Sequence, residues 1–134
     1  MSLLRISRDR EGALEVGGRS WQEDGTLSAR YWSEAVKERK EPSGVFYHWK
    51  GERPLHPNAP QLYGMGEIRV ESADRASGYF TTRADTRPRV NARTAGVYLR
   101  AEPEDMSILD GRDERQRAKL IAERLRHWKS ITNG

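Results

Sequence analysis

Hydrophobic and polar positions alternate along most of this chain, and the alternation has the two-residue period of strands. Its densest stretch is Gly44-Val45-Phe46-Tyr47-His48-Trp49-Lys50-Gly51, aromatic and β-branched between closing glycines. That composition predicts a strand, with Val45, Tyr47 and Trp49 on one side and Phe46 and His48 on the other. Bulk on both faces predicts a place inside a sheet covered on both sides, or in a barrel wall. Upstream, Leu3 to Ile6 and Ala13 to Val16 read as a hairpin around the charged turn Asp9 to Gly12. Gly17-Gly18 then breaks the pattern, and Gln22-Glu23-Asp24-Gly25 signals a further turn. Thr26 to Lys40 reads as a long strand ending near Glu38, with Leu27, Ala29, Tyr31 and Ser33 facing one way. The spacing of Leu27, Tyr31, Ala35 and Glu38 also fits a helix, which stays as the competing reading.

Downstream of the aromatic strand, Pro54, Pro57 and Pro60 recur every third residue and predict a polyproline-like surface loop. A strand follows over Leu62 to Glu71, with Met65, Glu67, Arg69 and Glu71 on one face and Gly66, Ile68 and Val70 on the other. Gly64 and Gly66 inside it mark a bulge, a bend or close approach of another chain. Ser72 to Ser77 forms a turn, Gly78 to Arg83 returns as a strand, and Val90 to Arg100 is the last. Pro103-Glu104-Asp105 then opens a helical region, with acidic residues where a helix start favours them. Gly111 divides that region. Beyond it Ala118, Ile121, Ala122, Leu125 and Trp128 form an apolar stripe at helical spacing, with Arg115, Arg117, Lys119, Arg124 and Arg126 mostly off it.

The fold predicted is mainly β with a C-terminal helix. An antiparallel meander closes into a small lipocalin-like β-barrel, and the helix packs on it or plugs one end. Residues 1–134 make one domain, in which 103–130 are the helical segment. The aromatic strand's two faces then divide: one lies under the helix around Leu125 and Trp128, the other lines the barrel interior.

Composition sharpens this picture. Only 35% of residues are hydrophobic and 33% are charged, so the core is lean and its four tryptophans and five tyrosines must fill much of it. A net charge of +4 permits an anionic partner without demanding one. The lack of cysteine removes disulfides, thiolate metal sites and thiol catalysis together and fits a cytoplasmic protein. No apolar run reaches the roughly 18 residues of a membrane span.

Candidate chemistry is sparse. His48, His56 and His127 fall in different elements without metal-ligand spacing, and Ser20, Ser33 and Ser107 lack the context of an activated nucleophile. Glu67 and Glu71 share a strand face, but Arg69 between them predicts neutralisation. No catalytic constellation and no cofactor are expected, and the chain reads as non-enzymatic. The stronger signals are arginines (Arg83, Arg87, Arg89 and Arg93 around the Asp85 to Pro88 turn, with Arg100) and tyrosines Tyr47, Tyr63, Tyr79 and Tyr98 on successive strands. Guanidinium forks suit phosphate or carboxylate, and the tyrosine hydroxyls can converge on a pocket. The solvated alternative is a hairpin whose arginines pair with surface acids such as Asp74 and Asp85.

The order Gly18, Gly25, Tyr31-Trp32-Ser33, Phe46-Tyr47-His48-Trp49-Lys50-Gly51, Gly64-Met65-Gly66, Gly78-Tyr79 and Tyr98-Leu99-Arg100 resembles the small β-barrel domains of bacterial CBASS antiphage effectors. The resemblance spans about residues 13 to 100. It implies a lipocalin-like barrel that senses a cyclic oligonucleotide in antiviral defence. This chain departs from the family in lacking its transmembrane helices. Two readings follow. As a ligand-binding barrel, it takes an anionic nucleotide-type small molecule, with Arg83, Arg93 and Arg100 as phosphate contacts and Tyr47, Trp49, Tyr79 and Tyr98 as the other ligand-binding residues. As a scaffold or interaction domain, the same aromatics are core and the arginines meet nucleic acid or an acidic protein.

Overall fold

The computed structural model describes the backbone of residues 1–84 and 92–132 and the side chains of 1–82 and 93–129. Seven strands lie in it in chain order: β1 (Ser2–Arg8), β2 (Leu14–Trp21), β3 (Leu27–Lys40), β4 (Ser43–Glu52), β5 (Leu62–Val70), β6 (Arg75–Ala84) and β7 (Ala92–Leu99). Two helices follow, α1 (Pro103–Asp110) and α2 (Glu114–Thr132). The strands pair antiparallel, each with the next, into one sheet of order β1 to β7. Thr26 to Lys40 is thus the strand of its two readings, ending two residues beyond Glu38. Gly17 and Gly18 do not end β2. They pair with Trp32 and Tyr31 inside the ladder, which runs on to Trp21.

The sheet is curled but open, a half-barrel where the sequence predicts closure. Strand parity gives a physical reason. A meander of seven strands leaves β1 and β7 running the same way, so joining them needs a parallel pair in an otherwise antiparallel ladder. Leu4 of β1 and Tyr98 of β7 each pack on the cluster formed by Val16, Val45, Tyr47, Trp49 and Ile68 inside the curl.

The helices take a different place from the one expected. Leu109 of α1 and Leu120 and Ile121 of α2 bury Trp21 at the end of β2, with Met1, Leu3 and Leu27 around them. They do not cover β4, whose outward His48 is exposed and whose Phe46 is half-buried under the Arg39 guanidinium, 4.4 Å from its ring centroid. The helix stripe is correspondingly rotated: Ala122 is exposed, while Arg117 is buried with Leu120 and Ile121. Arg117 Nε donates to the Gly25 carbonyl at 3.0 Å, tying α2 to the β2–β3 turn. Asp105 and Arg124 clamp α1 to α2 through two hydrogen bonds of 2.6 and 2.8 Å. The proline loop is also unlike its expectation. His56 N–H donates to the Arg53 carbonyl and Ala59 N–H to that of His56, so two hydrogen-bonded turns replace an extended polyproline run.

Candidate functional site

The site is best built from β4 outward. Val45, Tyr47 and Trp49 alternate into the curl, and their partners on β5 are Ile68, Gly66 and Gly64. A side chain at Gly66 would meet the Tyr47 ring, and one at Gly64 would lie 2.9 Å from Trp49 Nε1. The strand glycines therefore mark close approach, of the Tyr47 ring at Gly66 and of the Thr81 backbone together with Trp49 at Gly64. Gly18 does the same for Tyr31, whose hydroxyl end occupies the space of a missing Cβ. Trp49 then packs edge-on against Tyr31 and Phe80, both at 6.2 Å between ring centroids.

Three tyrosines share this inner cluster. Tyr31, Tyr47 and Tyr98 lie within electrostatic reach of one another. Burial pushes each phenol above its ordinary range, and the neighbouring tyrosines add to the shift for Tyr31 and Tyr47. All three stay neutral O–H donors at physiological pH. Among the described residues, the buried indole N–H of Trp49 has no hydrogen-bond acceptor. Buried donors in folded proteins are nearly always paired, which makes this one an exception.

The outer face carries a second constellation. Glu67, only 6% exposed, accepts from Arg69 Nε at 2.9 Å and Arg39 Nη1 at 3.2 Å. The Arg69 hydrogen bond, foremost, holds its carboxyl below the usual glutamate range. The neutralisation expected from the sequence is present, with Arg39 as an added partner. Tyr79 lies directly opposite Glu67 on β6, and Arg93, paired with Thr81 on β7, stacks diagonally 4.3 Å above its ring.

The seven residues singled out from the sequence therefore divide. Tyr47, Trp49 and Tyr98 meet inside the curl. Tyr79 and Arg93 form a pair on the opposite face. Arg100 follows the far end of β7, its N–H bonded to the Asp74 carbonyl. Seven residues of extended chain put it about 23 Å from Arg93. The side chain of Arg83 lies outside the described residues, as do Arg87, Arg89 and the Asp85 to Pro88 turn. Of the tyrosines expected to converge, Tyr63 and Tyr79 face outward, and Tyr31 takes their place. Its signal was present in the sequence, on the same alternation as Leu27 and Ser33. Among the described residues, no three His, Asp or Glu side chains gather as metal ligands. No helix there is long and apolar enough to cross a membrane. No known protein family, curated protein or solved structure matches the chain.

Proposed function

We propose that the half-barrel is a non-catalytic binding domain for a small anionic ligand of nucleotide type, held inside the curl. The observation that carries this reading is the packing of Tyr31, Tyr47 and Tyr98 inside the curl around Trp49, whose indole N–H is unpartnered among the described residues. Four neutral donors suit a ligand rich in acceptors, and the aromatic floor suits a planar ring. The resemblance to cyclic-oligonucleotide-binding barrels implies the same class, with tyrosines carrying more of the recognition and arginines less. On this reading the ligand completes the lipocalin-like barrel by filling the gap between β1 and β7.

Thermal shift against a panel of cyclic and linear nucleotides tests it. A true ligand raises the melting temperature by binding linkage. Tyr47→Phe and Tyr98→Phe are expected to fold normally and each to weaken binding about fivefold to tenfold, the worth of one hydrogen bond. No shift with any nucleotide removes the reading. A second reading rests on the outer face, where Arg39 and Arg69 share one carboxylate and Arg93 stacks on Tyr79. Cations set among rings fit single-stranded nucleic acid or an acidic partner. Binding of single-stranded DNA or RNA that weakens steeply with salt, and falls with Arg93→Ala, favours it.

A further inference from the structure

Adjacent glycines in β2 face opposite sides of the sheet, and they do opposite things. Gly18 is filled from inside by the Tyr31 ring. Gly17 faces out, and a Cβ there would touch only the Tyr31 carbonyl oxygen, at an ordinary 3.4 Å. Among the described residues, no other heavy atom comes within 4 Å of that Cβ position. The register sets Arg5 of β1 and Trp32 of β3 directly on either hand of Gly17. The result is an open cleft of about 550 Å³ whose lining includes Arg5, Ser7, Glu15, Gly17, Arg19 and Trp32. That volume lies in the range of small-molecule sites.

The chemistry of the cleft is specific. Trp32 is 42% exposed, a large indole face left to solvent in a chain short of core residues. Arg5 has no ion pair or hydrogen bond among the described residues. Arg19 is fixed by Asp110 at the end of α1 and by stacking on Trp21, 5.2 Å from the ring centroid. Burial, then repulsion from Arg5 and Arg117, lowers the pKa of Arg19, so an anion placed between Arg5 and Arg19 relieves a cost already present. Two strand spacings separate the Arg5 and Trp32 backbones by about 9.6 Å. A planar ring in contact with the indole takes about 4 Å of that, leaving room for a guanidinium opposite.

We propose that this cleft is a binding site for a heteroaromatic ring carrying an anionic group. The ring lies on the bare backbone of Gly17 and stacks on Trp32. Its phosphate or carboxylate meets Arg5 and Arg19, and Glu15 and Ser7 face its polar edge. This site is on the opposite side of the sheet from the tyrosine floor and does not depend on it.

Gly17→Val supplies the decisive test, because the position is a strand residue with room for a side chain. Calorimetric titration would use adenosine 5′-monophosphate as the phosphate probe and indole-3-acetate as the carboxylate probe. Adenosine and inorganic phosphate serve as controls lacking the charge or the ring. Expected is binding of at least one two-part probe, at least tenfold tighter than either control. Gly17→Val should abolish that binding with the melting temperature unchanged or raised, while His48→Ala, exposed on β4 and outside the cleft, leaves it intact. Arg5→Gln should weaken it about fivefold to tenfold and flatten its salt dependence, and Trp32→Ala should reduce the preference over phosphate alone. Undiminished binding by Gly17→Val, or no binding of either probe to the wild-type chain, overturns the proposal. Trp32→Ala and Arg5→Gln keep it falsifiable should Gly17→Val misfold, since both residues are exposed.

Discussion

Tyr31 and Tyr47 are apolar-floor residues that carry a titratable group, and this sets an alkaline limit on the fold. Their folded pKa values lie above those of an unfolded chain. The stability they contribute is complete below about pH 10, the unfolded phenol value, and is lost as pH climbs towards the folded values. Alkaline unfolding followed by circular dichroism should therefore coincide with the last step of tyrosinate absorbance, and Tyr47→Phe should move that midpoint upward. Glu67 has the opposite sign. Its depressed folded pKa gives stability present above the ordinary glutamate range and lost as pH falls through it to the folded value. Glu67→Gln is expected to cost about 1–3 kcal/mol at neutral pH in chemical denaturation and to flatten the acid limb. The Glu67–Arg69 pairing was legible in the sequence because both lie on one strand face two residues apart. Arg39 was not, since it comes from a strand two places away in the sheet.

At the scale of elements, the strands were readable because alternation is local, while helix docking depends on contacts the pattern does not encode. The apolar stripe of α2 runs through Ala122 in the sequence pattern, but the helix meets the sheet at a turn and a strand end. The groups awaiting it there include a bare carbonyl, Gly25 O, which a buried arginine satisfies better than an alanine. Arg117→Met, similar in length but without donors, should destabilise by about 1–3 kcal/mol and raise amide exchange in the β2–β3 turn. The glycines of β5 were legible as close-approach positions, though not what approached them. Gly66→Ala forces the buried Tyr47 ring aside and is expected to cost about 1–3 kcal/mol by overpacking. Urea denaturation of Gly66→Ala, alone and with Tyr47 shortened to leucine, checks this; the double variant should recover part of the loss.

At the scale of the molecule, two apolar clusters share the work, one inside the curl around Ile68 and one around Ile121 under the helices. Both isoleucines are fully enclosed, at 1% and 0% exposure. Ile68→Val and Ile121→Val should each cost about 0.5–1.5 kcal/mol. Separate clusters predict that the double variant loses the sum to within about 0.5 kcal/mol, measured by denaturant midpoint. Strong coupling between them would mean that the helices brace the curl itself.

The gap between β1 and β7 has a mechanical consequence. In a closed barrel, strand number and hydrogen-bond stagger together fix the girth, which changes only in steps of whole register shifts. Here the sheet runs from β1 to β7 without a closing pair among the described residues, and Leu4 and Tyr98 rest on a common core. The girth of this half-barrel is therefore set by how its shared core packs, and not by a hydrogen-bond register between its first and last strands.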